Sequence, residues 1–276
     1  MRQLIFYLIV ALITLFIAAP LFMLVKEGFL QLPTALKSRE VQFAIQLSLM
    51  TSIISTLICL LLAGPVAYFL SRSSLRHFLM PILYLPLALP HIVSGVALLL
   101  FFGFMGIGTW LDEWFNLSFI FTKEGIILAQ VFVNLPFAIR LIVLGLANLN
   151  EKQLFVARTL GASRWQCFRY VTLPLLKPTL LSVIVLTWSR ALGEFGAVMM
   201  VAGSTRLKTE ILPTSIMLNI STGDLDLALA IALILMIISL LCSTIFEYLL
   251  KSKYVHHWSS TTNTLRICPS RYLADA

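Results

Sequence analysis

The sequence predicts an all-α polytopic membrane protein with six transmembrane helices. Its 276 residues are 59% hydrophobic and only 12% charged, about half the roughly 25% charged share of a soluble domain. Mean hydropathy is +0.96. The apolar residues run in long blocks that reach the roughly 20 residues a helix needs to cross a bilayer. The weak alternating segments of a transmembrane barrel are missing.

The blocks define the elements in order. Residues 4–25 form the first span; the block is too long, and too poor in a small-x-small cleavage site, for a removed signal peptide. Residues 41–71 form a second, tilted or extended beyond the hydrocarbon core. Residues 79–104, 125–147, 173–202 and 225–250 are the remaining four. Backbone groups in lipid must be satisfied internally, so each is expected to be helical. With the N-terminus in the cytoplasm, the inner segments hold Arg2, Arg72, Arg76, Lys152, Arg158, Arg164, Arg169, Lys251, Lys253, Arg266 and Arg271. The outer segments hold Lys26, Lys37, Arg39, Lys123, Arg206 and Lys208. This bias predicts both termini inside. The net charge of +8 is then mostly a topology signal, and no segment is large enough to fold as a basic nucleic-acid-binding domain.

No chemistry is expected on the chain itself. Cys59 and Cys242 fall in spans, Cys167 in an inner loop and Cys268 in the tail, without a C-x-x-C spacing. His77, His256 and His257 lie in polar segments. His91 follows Pro90 inside the third span, where it either lines a pathway or, as we expect, bonds a carbonyl freed by the proline. No Walker A, G-x-S-x-G, H-E-x-x-H or paired-carboxylate pattern occurs, so no catalytic residue, cofactor or metal site is predicted.

One stretch breaks the apolar run. "EKQLFVARTLGASRWQCF", from Glu151, places Leu154, Ala157, Gly161, Trp165 and Phe168 at helical steps. Gly161 costs about 1 kcal/mol inside a helix relative to alanine, so it suits a sharp turn between two short helices or a close backbone approach. Pro174 is expected to stop the pattern and start the next span. Such an amphipathic helix pair either docks into a groove on a cytosolic partner or rests on anionic lipid.

The stretch resembles the cytoplasmic Glu-Ala-Ala loop of binding-protein-dependent ABC importer permeases. Ala157 matches the second alanine, Gly161 the glycine, and Val171-Thr172-Leu173-Pro174 the ending; Phe155 and Val156 replace the glutamate and first alanine. The resemblance implies the type I ABC importer permease fold, with residues 1–40 as an N-terminal helix and outer loop. Residues 41–250 would be the permease core, with a coupling loop at about 148–172, and 251–276 a polar cytoplasmic tail to which we assign no fold. It implies coupling through Leu154, Ala157, Arg158, Gly161, Ala162, Arg164 and Trp165. The implied partners are two ATPase subunits carrying ATP and Mg, an extracytoplasmic binding protein, a second copy of the chain and membrane lipid. The implied place is a prokaryotic inner membrane.

The run from Arg190 to Ala197 and the stretch "LPLALPHIVSGVALLLFFG" resemble the sulfate and molybdate branch, and "MMVAGSTRLKTEILPTSI" leans toward molybdate or tungstate. The path or gate is assigned to Pro90, Ser94, Arg190, Glu194, Phe195 and Met199. Arg190 and Glu194, four residues apart, are expected to share a helix face and brace each other, leaving an apolar gate at Phe195 and Met199. The alternative is that Arg190 attracts the anion. Residues 203–224 are either a connecting loop or, as we expect, a short helix across the pathway mouth where a binding protein docks, with Thr222-Gly223-Asp224 starting span six. Importers of sulfate or another small solute remain open alternatives. So does a channel or secondary transporter, though the inverted repeats of the latter are not evident.

Overall fold

A computed structural model describes residues 2–103, 105–149 and 151–265; Arg266, Cys268 and Arg271 of the tail lie outside them. Every regular element among these residues is helical: α1 (Arg2–Lys37), α2 (Arg39–Leu70), α3 (Arg76–Ala88), α4 (His91–Phe102), α5 (Gly108–Phe115) and α6 (Lys123–Ala147) come first. They are followed by α7 (Glu151–Thr159), α8 (Arg164–Cys167), a π-helical turn at Phe168–Thr172, α9 (Leu173–Leu192), α10 (Gly196–Val201), α11 (Leu212–Ser221) and α12 (Leu225–Leu265). Five helices are long and apolar enough to cross a membrane, and α3 with α4 makes a sixth if the bent pair counts as one span.

The centre is α2 against α6, with α9 packed on both. The buried face of α2 carries Ser48, Thr51, Ser52, Ser55, Thr56, Cys59, Ala63 and Ala67. These are small side chains, which let membrane helices approach closely. Helix α1 lies along α12, and its outward side chains, among them Phe16 and Phe22, are exposed as lipid-facing residues are. Three apolar clusters occur among the described residues; one, around Val41, Leu212 and Ile231, joins α2 and α11 to α12, and the other two fill the ends of the bundle. Of these two, one gathers Cys59, Leu70, Ile139, Ile142, Leu176 and Val183 toward the end that carries α7. The other gathers Leu47, Leu98, Ile126, Val133, Val198 and Ile211 toward the opposite end.

Several expectations need correction. The third span is not one helix: α3 and α4 meet at a bend of 108°. Leu89 is extended (ψ 142) and Pro90 caps α4, because a residue before proline is pushed out of the helical region. The fifth span ends at Leu192, and α10 is a separate helix. Pro174 does not stop the preceding helix. The Leu173 N–H bonds the Phe168 carbonyl, and this widened turn carries the chain from α8 into α9; such π turns accommodate local misfit within a continuous helix. The first span is longer than read, running to Lys37. The last helix continues to Leu265, into the tail to which no fold had been assigned.

The segment 203–224 does contain a helix, α11, whose first turn is buried while Met217, Ile220 and Ser221 are exposed. The Leu212 N–H donates to Ser48 Oγ (2.7 Å) and the Ser215 hydroxyl to Glu210 Oε1 (2.6 Å). Asp224 caps α12 by accepting from the Leu227 N–H at 3.0 Å.

Candidate functional site

Two places gather the residues singled out by sequence: the junction of α4 with α10, and the segment from α7 to α8.

At the first, two glycines let the helices touch. A Cβ on Gly95 would lie 2.8 Å from the Ala197 Cα, and one on Gly196 would lie 3.0 Å from the His91 Cβ. Any side chain at Gly95 forces the backbone of α10 away. The contact is locked by a polar pair. His91 Nδ1 lies 2.8 Å from Glu194 Oε2, and Glu194 is 2% exposed against 42% for His91. The other carboxylate oxygen, Oε1, accepts the Ala197 N–H at 3.1 Å. Glu194 therefore ties the start of α10 to the start of α4.

This arrangement overturns the Arg190–Glu194 brace. The helix ends between them, so they do not share a face. Arg190 instead turns to α6. Its Nε donates to Asn134 Oδ1 (3.2 Å), and its guanidinium lies 4.8 Å from the Phe137 ring centre. Asn134 Nδ2 donates to the Gln130 carbonyl (2.8 Å), and Gln130 Nε2 to the Ala191 carbonyl (2.9 Å). A polar ladder thus joins α6 to the end of α9 inside an apolar bundle. His91 bonds a carboxylate, not the freed carbonyl we expected. Of the other assigned residues, Pro90 and Met199 are exposed, Phe195 is half-buried, and Ser94 is fully buried. Gln130 and Asn134 were missed. Two amide side chains four apart in an apolar span were the available signal, since polar residues there usually face the bundle interior.

At the second place, α7 ends in a left-handed turn. Gly161 has φ +85; its N–H donates to the Arg158 carbonyl (3.0 Å) and the Ala162 N–H to the Ala157 carbonyl (3.1 Å). This is the double bond pattern of a helix closed by glycine. No described residue lies within 4 Å of a Cβ at that position, so among them the glycine is needed for its backbone angle and not for a close approach. Ser163 and Gln166 then form a reciprocal capping box that starts α8. The predicted turn between two short helices is present. The predicted single face is not, because the chain reverses at Gly161. Trp165 stacks on Phe168 (5.7 Å), Phe168 meets Tyr68 edge-on (5.3 Å), and Arg72 covers Tyr68 (4.4 Å), which anchors α8 to the end of α2.

The turn presents large apolar side chains outward, set among polar and basic ones. Leu160 is 82% exposed, Phe155 69% and Trp165 66%, with Val156 and Tyr170 also exposed. Arg158, Arg164 and Gly161 are exposed among them, while Leu154, Ala157 and Ala162 are half-buried.

Residues 60–255 match the family model described as "Binding-protein-dependent transport system inner membrane component". The chain is 40% identical over 203 residues to the molybdenum transport system permease protein ModB of Mycobacterium tuberculosis, covering 72% of this chain and 76% of that protein. It is 34% identical over 254 residues to the sulfate transport system permease protein CysW of Escherichia coli, covering 90% and 85%. Among solved structures, a bacterial ABC transporter involved in import of the acidic polysaccharide alginate superposes with a TM-score of 0.75 at 18% identity, over 92% of this chain and 97% of that one.

Proposed function

The chain belongs to the binding-protein-dependent transport system inner membrane components, as a type I ABC importer permease, and from that premise we propose that its cargo is a tetrahedral oxyanion, molybdate or tungstate. The observation that carries the cargo is the 40% identity with a molybdenum permease over 203 residues. Sulfate is the second reading, favoured by the longer match to a sulfate permease, 254 residues.

In this reading the chain does no chemistry. ATP and Mg sit on two partner ATPase subunits, and the α7–α8 turn seats in them through Phe155, Leu160 and Trp165. That face suits docking because its large apolar side chains are held on a rigid turn and covered by none of the described residues. Both termini face the cytoplasm, in line with the basic residues. A binding protein delivers the anion on the opposite side. Two permease copies frame the path, with Phe195 and Met199 as an apolar gate. Closure of the ATPases favours the outward-open state, and its free energy comes from differential nucleotide affinity between the two states. Glu194, bound to His91 and to the Ala197 N–H, holds the gate-bearing helix to α4, so both would move as one body.

Uptake of labelled molybdate into vesicles holding the permease, its ATPase and the cognate binding protein tests the cargo. We expect ATP-dependent uptake that excess tungstate blocks and excess phosphate does not. Uptake of a non-oxyanion solute alone would overturn it. Gly161→Trp should insert normally and lose uptake; coupling at the wild-type level would remove the docking assignment.

A further inference from the structure

A cavity of about 1300 Å³ opens at the end of the bundle that carries α7, between α2, α3, α6 and α7. Five cations line it: Arg72, Arg76, Arg140, Lys152 and Arg158. Its described lining contains no carboxylate. None of Arg76, Arg140 and Arg158 has an acidic partner among the described residues. Arg72 is engaged with Tyr68, and Lys152 has a partner of its own.

A basic cluster at this end satisfies the topology rule, but Arg140 exceeds what that rule needs. It stands within α6, about 10 Å before Ala147 by helical rise, where an ionised group usually faces a water-filled cavity and marks a pathway. It is exposed, and what it is exposed to is this cavity. Arg76 on α3, Arg140 on α6 and Tyr84 on α3 line the same cavity, so the two arginines, from different helices, converge on one region. Like charges around a shared cavity repel one another, and an oxygen-rich anion among them relieves that repulsion. Guanidinium groups match such an anion because their forked N–H donors bond two oxygens at once.

We propose that this vestibule is a binding site for a tetrahedral oxygen-rich anion, with Arg140 and Arg76 as its principal donors. The shared chemistry is that of a free oxyanion leaving the path and of a phospholipid phosphate entering from the membrane. The free-oxyanion source rests on the cargo proposed above, whereas the site itself does not.

The test uses the permease purified with its ATPase subunits, without binding protein. In phosphatidylcholine nanodiscs, labelled sulfate and molybdate are titrated; saturable binding is expected, weakened about tenfold by Arg140→Gln or Arg76→Gln and by raised ionic strength. Arg140→Lys should keep part of it, which separates loss of charge from loss of fold. In nanodiscs containing phosphatidylglycerol and no free oxyanion, native mass spectrometry counts retained lipid. Arginine-dependent binding in the first arm assigns the site to the free anion, and in the second arm alone to a lipid headgroup. Equal binding by wild type and both glutamine variants in both arms, or none at all, overturns the site. A complex that binds sulfate here but imports no oxyanion keeps the site and discards the cargo.

Discussion

Glu194 shows what a single buried charge demands. It is 2% exposed and uses both oxygens, one toward His91 and one toward the Ala197 N–H. Removing one partner of a buried pair strands the other, at about 3–5 kcal/mol for a fully buried pair. His91 is half-exposed, so we expect His91→Ala to cost less, about 2 kcal/mol. Neutralising the stranded carboxylate should recover most of it. Thermal unfolding of the assembled complex would therefore show a clear drop in Tm for His91→Ala and a smaller one for His91→Ala with Glu194→Gln. If the double variant were the less stable, the pair would not be what holds the junction. Arg190 is bound differently, to Asn134 and over Phe137. Asn134→Ala should destabilise by about 1–2 kcal/mol and loosen Arg190 without touching Glu194. A strong coupling between Asn134→Ala and Glu194→Gln in a double-mutant cycle would contradict that separation.

Among elements, the touching helices α4 and α10 contrast with the open side of α2 at Gly64. The first pair tolerates no Cβ at Gly95, since the atoms in the way belong to the Ala197 backbone and the Met200 Cβ. Gly95→Ala should lower stability by about 1–3 kcal/mol and increase reagent access to a cysteine placed at Phe195. Gly64, in α2, has nothing within 4 Å of its Cβ position. Gly64→Ala should be neutral or stabilising by up to about 1 kcal/mol, because alanine is the better helix former. Unfolding in detergent with both variants side by side checks the pair of expectations; equal behaviour would mean that close approach is not what Gly95 provides.

For the whole molecule, the short helix α10 leaves Phe195 and Met199 partly uncovered at the far end of a bundle whose other end presents the α7–α8 turn. A symmetric pair of chains would bring like residues to a two-fold axis. Single cysteines along 191–201 should then crosslink between copies, most strongly near Phe195 and Met199, and the pattern should change with nucleotide. Crosslinks to a different permease chain, with none between copies in any nucleotide state, would replace the homodimer with a heterodimer.

The amino-acid sequence by itself determined the helical class, the approximate places of the spans and the glycine turn. Each depends on local chemistry: apolar length, absence of backbone partners in lipid, and the left-handed angle that Gly161 adopts cheaply. It marked Phe155 as a substitution within a motif and Trp165 as part of one helical face, but did not single out Leu160; that the three are exposed together came from the fold. Only the tertiary structure decided how the charges pair. Arg190 and Glu194 are neighbours along the chain, yet the break after Leu192 sends one to Asn134 and the other to His91. The partners lie far apart in sequence, and a carboxylate withdrawn from water takes whichever donor packing brings within 3 Å. The same holds for Arg140, which reads as one cation in an apolar span until α2, α3 and α7 close around it. Spacing reports what a helix can present; which neighbour receives it depends on how the helices pack, and here two glycines and a proline set that packing.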